Sequence, residues 1–355
     1  MPSIRSDQAS PGIFIAFPPN PRFNERDLMP PEQSTYDVTA IGETLVDFTP
    51  DPTSRLRPPV FQANPGGAPC NVLAMLARLG RRTGFIGKVG DDIFGRLLRA
   101  RILEAGIDDA GLVSGGEACT TLAFVHISET GDRDFSFFRN PGADMMLRWE
   151  EIPPTLLRQT RIFHFGTISM THQDIRNVTK KAVACARGAG ALLSFDPNIR
   201  LPLWKNRASM RRQIVYGCGQ CDILKIEANE LQLLTGQTDW ERAADALHRS
   251  FPNIRLALIT AGARGSGAST GSLRSWQPTF RNVDTIDTTG AGDAFLGACL
   301  AFLLEHGPEA ISTAGHLDRM LLFANAAASI VTTRRGALAS MPARGEINAL
   351  IAAAH

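Results

Sequence analysis

The sequence predicts an α/β fold in which helices cover both faces of a mostly parallel sheet, accompanied by a small accessory β-sheet. The first observation is that strand-like runs alternate with helical patterns from residue 36 onward. The second is that 44% of the 355 residues are hydrophobic, which is enough to fill a large core. The third is that residues 120–139 interrupt the alternation with a hairpin pattern.

The alternation can be assigned segment by segment. We expect strands at residues 38–48, 83–89, 161–165, 191–195, 222–226 and 256–260, and helices at residues 68–79, 93–105 and 174–187. In the last of these helices Ile175, Val178, Ala182 and Ala186 recur every three or four residues, which indicates one buried face.

The hairpin consists of two runs rich in β-branched and aromatic residues, 120–128 and 134–139, on either side of Gly131. Because no helix separates the two runs, they have no crossover that would place them within a parallel sheet. We therefore expect them in the accessory sheet, which we interpret as a lid formed by segments around residues 45–62 and 112–140.

The N-terminal segment, the net charge and the length of the apolar runs argue against several classes of protein and partner. Residues 1–35 contain seven of the 22 prolines and no sustained periodicity, so we expect a disordered tail followed by one domain over residues 36–355. A net charge of +2 argues against nucleic acid as the main partner. There is no run of about 18 apolar residues and no secretory pattern, so we expect no membrane partner and a cytoplasmic location.

Six dispersed cysteines fit reduced thiols better than a disulfide framework. Cys218 and Cys221 form a single C-x-x-C pair, which we interpret as two core residues, with a metal or redox role as the alternative. His164 lies on a predicted buried strand, and we interpret it as a hydrogen-bonded core histidine.

The motif that indicates function most clearly is residues 287–297, in which small residues stand where an apolar helix begins. Gly290, Ala291 and Gly292 allow a tight turn whose free N–H groups would form an anion site. Asp293 follows them, is stabilised as a carboxylate by the helix dipole, and could take a proton from an attacking hydroxyl. The alternative is that Asp293 is an ordinary N-cap after a glycine turn.

A second glycine-rich helix start lies at residues 64–71, where Asn71 offers an amide suited to sugar hydroxyls. A capped turn is the alternative. Asp47 closes the first predicted strand, and the carboxyl ends of strands in open α/β sheets are where ligands bind. Neither a P-loop nor a dinucleotide-binding glycine motif occurs in the sequence, so any nucleotide must be held differently.

These two motifs, residues 66–71 and 287–293, resemble those of the ribokinase-like, or PfkB, carbohydrate kinases, and the similarity extends over residues 36–342. Four further segments, at residues 138–145, 164–169, 196–204 and 233–236, follow the order of the fructokinases within that family. The resemblance implies a ribokinase-like three-layer α/β/α core with a β-sheet lid. It also implies ATP-dependent phosphorylation of a sugar hydroxyl, with conversion of fructose to fructose 6-phosphate as the expected reaction.

The resemblance assigns roles to particular residues. Asp293 would be the general base, and Gly290, Ala291 and Gly292 would form the anion hole for the γ-phosphoryl group. The sugar would be bound by Asp47, Gly66, Gly67, Asn71, Arg139, Asp196 and Asn198. ATP would be bound by Lys225, Glu230, Thr260, Gly262, Gly265 and Asn325.

The resemblance also implies metal ions. Glu230 would hold Mg²⁺ through water, although Glu227 stands where the family often has Asn, and a glutamate there could also help a hard cation. Asp287, Thr289 and Ser340 resemble part of a K⁺ site beside the anion hole.

Other interpretations stay open at the level of sequence. The substrate could be 2-keto-3-deoxygluconate, ribose, another sugar of the family or, less favoured, a nucleoside. The chain could instead be a non-catalytic sugar sensor on the same fold. An exposed accessory sheet needs its edges or apolar face covered, and a homodimer through the lid is one way to cover them.

Overall fold

The computed structural model describes residues 34–50, 60–127 and 133–354. The predicted tail, the turn of the predicted hairpin and part of the first predicted lid segment therefore lie mainly outside the described residues.

The strands and helices follow one another in chain order. The strands are β1 (Tyr36–Ile41), β2 (Leu45–Pro50), β3 (Phe61–Gly66), β4 (Thr83–Gly90), β5 (Asp108–Gly115), β6 (Leu122–Ile127), β7 (Arg133–Phe138), β8 (Thr160–Gly166), β9 (Leu192–Asp196), β10 (Ile223–Glu227), β11 (Leu256–Thr260), β12 (Ser266–Ser269) and β13 (Arg274–Gln277). The helices are α1 (Ala68–Arg78), α2 (Ile93–Glu104), α3 (Thr155–Arg158), α4 (Gln173–Gly188), α5 (Arg207–Gln220), α6 (Ala228–Thr235), α7 (Trp240–Ser250), α8 (Ala291–His306), α9 (Ala314–Thr332) and α10 (Arg344–Ala353).

The large sheet contains nine strands in the order β13-β12-β11-β10-β9-β8-β1-β4-β5. Neighbouring strands from β11 to β5 pair in parallel, and only β12 runs against its neighbours. The carboxyl ends of β9, β10 and β11 therefore meet at one edge, where ligands bind in sheets of this type.

Helices cover both faces of the large sheet and bury two separate apolar clusters. Along β8, Ile162 belongs to the cluster that includes α1, α8 and α9, while Phe163 and Phe165 belong to the cluster that includes α4. Opposite faces of one strand are thus both buried, which is the reason that the strand sequence is almost continuously apolar. The predicted three-layer α/β/α core is confirmed.

The small sheet contains four strands in the order β3-β2-β6-β7. Strands β6 and β7 pair antiparallel, as the hairpin pattern predicts, and β6 joins the sheet by pairing in parallel with β2. The large sheet has no place for this hairpin, and the second sheet is confirmed.

One predicted strand is wrong. Residues 38–48 form two strands, β1 in the large sheet and β2 in the small one, rather than a single strand. The break falls at Gly42, where an added Cβ would lie 2.6 Å from Pro69 Cγ, so the chain passes closely over the start of α1. Asp47 accordingly lies in the small sheet and not at the carboxyl end of a strand of the large sheet.

The apolar segment Ala291–Ile311 is long enough to span a membrane, but 61% of its most apolar 18-residue stretch is buried within the protein. Its apolar side chains pack against α1 and α9, which accounts for their character. Cys218 and Cys221 are both fully buried, as expected for two core residues.

Candidate active site

Hydrogen bonds from side chains within the turn stabilise the turn that precedes α8. Asp287 Oδ1 accepts hydrogen bonds from the Thr289 N–H at 2.9 Å and from its hydroxyl at 2.7 Å. Gly290 then adopts a φ of 81°, and an added Cβ would lie 2.6 Å from Ala337 Cβ. Only glycine satisfies both the left-handed backbone and this close approach.

Asp293, in the first turn of α8, is 9% exposed, and its Oδ2 accepts a hydrogen bond of 2.8 Å from Asn71 Nδ2. The N-cap of α8 is Gly290, so the alternative that Asp293 caps the helix is wrong. Burial raises the pKa of Asp293 to about 6, although Lys225 and the hydrogen bond from Asn71 lower it. Loss of solvation is therefore the largest effect on the pKa of this group.

Only some of the backbone N–H groups in the predicted anion site are available to bind a ligand. The Ala291 N–H donates to the Thr288 carbonyl oxygen at 3.3 Å and is therefore used within the turn. The absence of a side chain at Gly292 leaves room for the ammonium group of Lys225, because an added Cβ would lie 3.1 Å from Lys225 Nζ. Lys225 Nζ is held in turn by Asp196 Oδ2 at 2.9 Å, and that carboxylate is the main reason that the pKa of Lys225 is raised despite its burial.

A cavity of about 320 Å³ opens in front of Asp293. Of the residues predicted to bind sugar, Asp47, Gly67, Asn71 and Asn198 line it. Asn71 Oδ1 is buried and has no hydrogen-bond partner in the described part of the chain. Because an unpaired buried oxygen is costly, a ligand hydroxyl in this cavity would stabilise it.

Further residues that the sequence did not single out also line this cavity. Those with polar or large side chains include Glu43, Phe137, Ile168 and Arg200. Glu43 is 3% exposed, and burial raises its pKa to about 7. Burial also raises the pKa of Asp47 to about 7, with Arg200 lowering it. In the sequence, Glu43 lies within the single strand predicted over residues 38–48, so only the neighbouring Gly42 could have drawn attention to it.

Three predicted sugar-binding residues do not line the cavity. Arg139 donates to Asp144 Oδ2 at 2.8 Å and to Thr171 Oγ1 at 2.7 Å, so its guanidinium is bound within the protein. Asp196 holds Lys225, and its Oδ1 accepts from the backbone of Asn198 at 3.2 Å. Gly66 ends β3, where an added Cβ would lie 3.1 Å from Asp47 Oδ2. These residues position the cavity wall rather than form it.

A second cavity, of about 770 Å³, lies on the other side of the same turn. Its lining includes five residues predicted to bind the nucleotide, namely Lys225, Thr260, Gly262, Gly265 and Asn325. Asn325 Nδ2 donates to the carbonyl oxygens of Gln277 and Pro278, so it also fixes the chain that follows β13.

The two cavities share part of their walls. Lys225, Glu227, Thr288 and Gly292 line both of them. A small polar ligand on one side and a larger one on the other would therefore meet beside Asp293, with Lys225 between them. This is the geometry that transfer of a charged group between two bound molecules requires.

Comparison with known proteins agrees with this geometry. The family model for pfkB family carbohydrate kinases matches residues 36–344. The chain belongs to this family.

Individual members of the pfkB family are similar over nearly the whole chain. Fructokinase-1 of Zea mays is 40% identical over 317 residues, which cover 88% of this chain and 97% of the relative. The structure of fructokinase from Xylella fastidiosa with bound ATP matches with a TM-score of 0.82 at 33% identity, covering 90% of this chain and 99% of that one. A fructokinase variant of Vibrio cholerae O395, with fructose, ADP and potassium ion bound, matches with a TM-score of 0.79 at 30% identity, covering 90% and 99%.

Two glutamates of this pfkB-family kinase stand near the shared wall, at the start of α6. Glu230 Oε1 accepts from the Ile199 N–H at 2.6 Å, and Oε2 accepts from the Glu227 N–H at 3.0 Å. Glu230 lines neither of the two cavities, whereas the exposed side chain of Glu227 lines both. That Glu230 holds Mg²⁺ through water, as the resemblance implies, stays a prediction.

The residues predicted to bind K⁺ lie around the turn that precedes α8. Asp287 and Thr289 line a small recess together with Gly336 and Ala337. Ser340 is buried and donates its hydroxyl to the Ala337 carbonyl oxygen at 2.8 Å, so it supports the loop beside that recess.

His164 is fully buried and forms a hydrogen bond of 3.1 Å with Ser194. Burial lowers its pKa to about 4, so it is neutral at physiological pH. The interpretation of His164 as a core histidine is confirmed.

Proposed function

We propose that this kinase transfers the γ-phosphoryl group of ATP to fructose and forms fructose 6-phosphate. The observation that carries the proposal is the position of Asp293, at the sugar-sized cavity, beside the wall it shares with the larger one. Family membership and a fructokinase relative that is 40% identical support the same reaction and the same sugar.

Asp293 would act as the general base. Its carboxylate, with a pKa of about 6, is largely ionised at neutral pH and still basic enough to accept the proton of a sugar hydroxyl. Asn71 orients the carboxylate by donating to Oδ2. Lys225, which lines both cavities, would stabilise the negative charge that develops on the transferred group. Electrostatic stabilisation of this kind supplies much of the catalysis in phosphoryl transfer.

The nucleotide would occupy the larger cavity, between the Gly262 turn and α9. The γ-phosphoryl group would then point toward Gly292 and Lys225. A divalent cation accompanying ATP would neutralise phosphate charge and help to align the phosphates. The carboxylates at the start of α6 have the oxygen donors that Mg²⁺ prefers, so the residues present fit such an ion.

We also propose the K⁺ site around Asp287, Thr289 and Ser340. The support is the recess beside the turn and the potassium ion bound in the Vibrio cholerae relative. An ion there would favour the turn that presents Gly290 and Gly292 to the phosphates.

We propose further that the enzyme works in the cytoplasm as a homodimer joined through the small sheet. Cysteines 70, 218, 221 and 299 are buried free thiols, which suits a reducing compartment. Among the described residues, β3 and β7 are the edge strands of the small sheet, and a second subunit is one way to cover them.

The test is a set of kcat/KM values for fructose, ribose, 2-keto-3-deoxygluconate and adenosine with ATP and Mg²⁺. We expect fructose to give the highest value. Preference for another acceptor would reassign the substrate within the family. Sugar binding without ATP turnover would instead support the non-catalytic sensor.

A further inference from the structure

Helix α1 contributes to the sugar-sized cavity but begins without a side-chain cap of its own. Its N-cap residue is Gly67, which has no side chain that could accept a hydrogen bond from the first turn. The second helical residue is Pro69, which has no N–H group. The first backbone donor of the helix is therefore the Ala68 N–H, and a donor at a partly buried helix start needs an acceptor.

The acceptor for this donor comes from a distant part of the sequence. Glu43 Oε1 accepts a hydrogen bond of 3.2 Å from the Ala68 N–H, and Glu43 is only 3% exposed. A carboxylate at a helix N-terminus satisfies the backbone donor and also interacts favourably with the helix dipole. Glu43 thus caps α1 from the segment that joins β1 to β2.

The same segment contacts the glycine loop at two further points. The Thr44 hydroxyl donates to the Gly66 carbonyl oxygen at 3.1 Å. Gly67 has a φ of 122°, and an added Cβ would lie 2.5 Å from the Glu43 carbonyl oxygen. Gly67 is therefore packed directly against Glu43, and hydrogen bonds fix the residues on either side of it.

The start of α1 leads directly to the reacting groups. The Gly67 carbonyl oxygen accepts from the Asn71 N–H at 3.0 Å, which closes the first turn of the helix. Asn71 Nδ2 in turn donates to Asp293 Oδ2 at 2.8 Å. Gly67, Asn71 and Asp293 line the sugar-sized cavity, and none of these three lines the larger one. A displaced helix start would therefore disturb the sugar site and leave the nucleotide site intact.

We propose that Glu43 is a positioning residue of the sugar site, whose carboxylate caps α1 and so places Gly67 and Asn71 for binding and reaction. The proposal rests on the proposed kinase function. It gives a role to a buried acid that lines the cavity and has no part in the proposed proton transfer. Burial raises the pKa of Glu43 to about 7, and the carbonyl oxygen of the protonated form can accept the same hydrogen bond.

The experiment measures KM for fructose, KM for ATP and kcat in variants of the full chain. Glu43→Gln keeps an acceptor oxygen at the same reach. Glu43→Met keeps the side-chain length but has no oxygen, and Glu43→Asp withdraws the oxygen by one methylene group. Asp239→Ala is the matched control, because Asp239 caps α7 by accepting from the Arg242 N–H at 2.9 Å and lines neither cavity. Circular dichroism and urea unfolding report whether each variant is folded and how stable it is.

We expect Glu43→Met and Glu43→Asp to raise KM for fructose about tenfold, since a hydrogen bond to a charged group is worth at least that factor. Their kcat should also fall, because Asn71 no longer orients Asp293 correctly, whereas KM for ATP should not change. Glu43→Gln should restore the wild-type values. Asp239→Ala should lower the free energy of unfolding without changing either KM.

Three results would overturn the role of Glu43. One is a wild-type KM for fructose in Glu43→Asp or in a folded Glu43→Met. Another is an equal rise in KM for fructose and for ATP, which would indicate a general loss of structure. The third is a Glu43→Gln variant that binds fructose as poorly as Glu43→Asp does.

The role of Glu43 and the proposed reaction can fail separately. If the wild type binds fructose without turnover, calorimetric Kd values replace KM. Weaker fructose binding in Glu43→Asp, with normal binding in Glu43→Gln, would then support the role of Glu43 although the kinase assignment is wrong. If fructose is phosphorylated and Glu43→Asp matches the wild type, the reaction stands and the role of Glu43 is wrong.

Discussion

Three effects that act in opposite directions set the pKa of Asp293. Burial at the start of α8 raises its pKa, whereas Lys225 and the hydrogen bond from Asn71 lower it, leaving a value of about 6. An ordinary exposed aspartate, with a pKa near 3.9, would be a poorer base for a hydroxyl. The residue is therefore tuned by packing rather than by its helix position alone.

The pH dependence of kcat/KM for fructose tests this tuning. Below a pKa of about 6 the carboxyl group is protonated and cannot accept the hydroxyl proton, so the rate should fall with decreasing pH and level off above that value. Glu43→Gln is the control, because Glu43 lines the same cavity and also has a raised pKa, whereas the proposed mechanism assigns it no proton transfer. A Glu43→Gln variant without the acidic limb, or a wild-type limb centred near pH 4, would contradict this interpretation.

At the scale of elements, the sequence predicts structure best where periodicity is strong. Helix α4 and strands β4, β8, β9, β10 and β11 lie within two residues of their predicted bounds. Helix α5 was not assigned, because arginines and glycines interrupt its apolar face. Strand β12 was not assigned either, because its small residues carry no β-branched signal.

The turn into α8 gives a paired prediction at this scale. Gly290→Ala would place a side chain at a φ of 81° and against Ala337, so we expect the free energy of unfolding to drop by roughly 1–3 kcal/mol. Gly292→Ala leaves helical backbone undisturbed but puts a methyl group 3.1 Å from Lys225 Nζ, so we expect mainly a higher KM for ATP. Urea unfolding and ATP kinetics measure the two effects, and the opposite pattern would show that the turn is misinterpreted.

At the scale of the whole molecule, the site joins parts that lie far apart in the chain. Asn71 and Asp293 are 222 residues apart and hydrogen bonded, and Asp47 reaches the same cavity from the small sheet. Local patterns identified the two helix starts, but only the resemblance to a family brought them together. The inward-turned Arg139 and the place of Glu43 in the cavity wall depend on tertiary contacts that no local pattern contains.

The proposed dimer gives a prediction at this scale. Phe138 on β7 is 64% exposed at the edge of the small sheet, where its ring contacts Phe124 at a centroid distance of 5.3 Å. If the small sheet forms the interface, Phe138→Asp should convert the dimer to a monomer in sedimentation velocity experiments. Leu103→Asp, at an apolar position on α2 that is 53% exposed, should leave the dimer intact. A wild-type monomer would rule out this interface.

The most direct test of the account is turnover by Asp293→Asn, measured together with binding of fructose and ATP. The amide oxygen can still accept the hydrogen bond from Asn71, so fold and ligand binding should be retained. We predict that kcat falls about 100- to 10,000-fold, the contribution typical of a general base. Near-normal turnover in a variant that is folded and binds both ligands would contradict the assignment of Asp293 as the base.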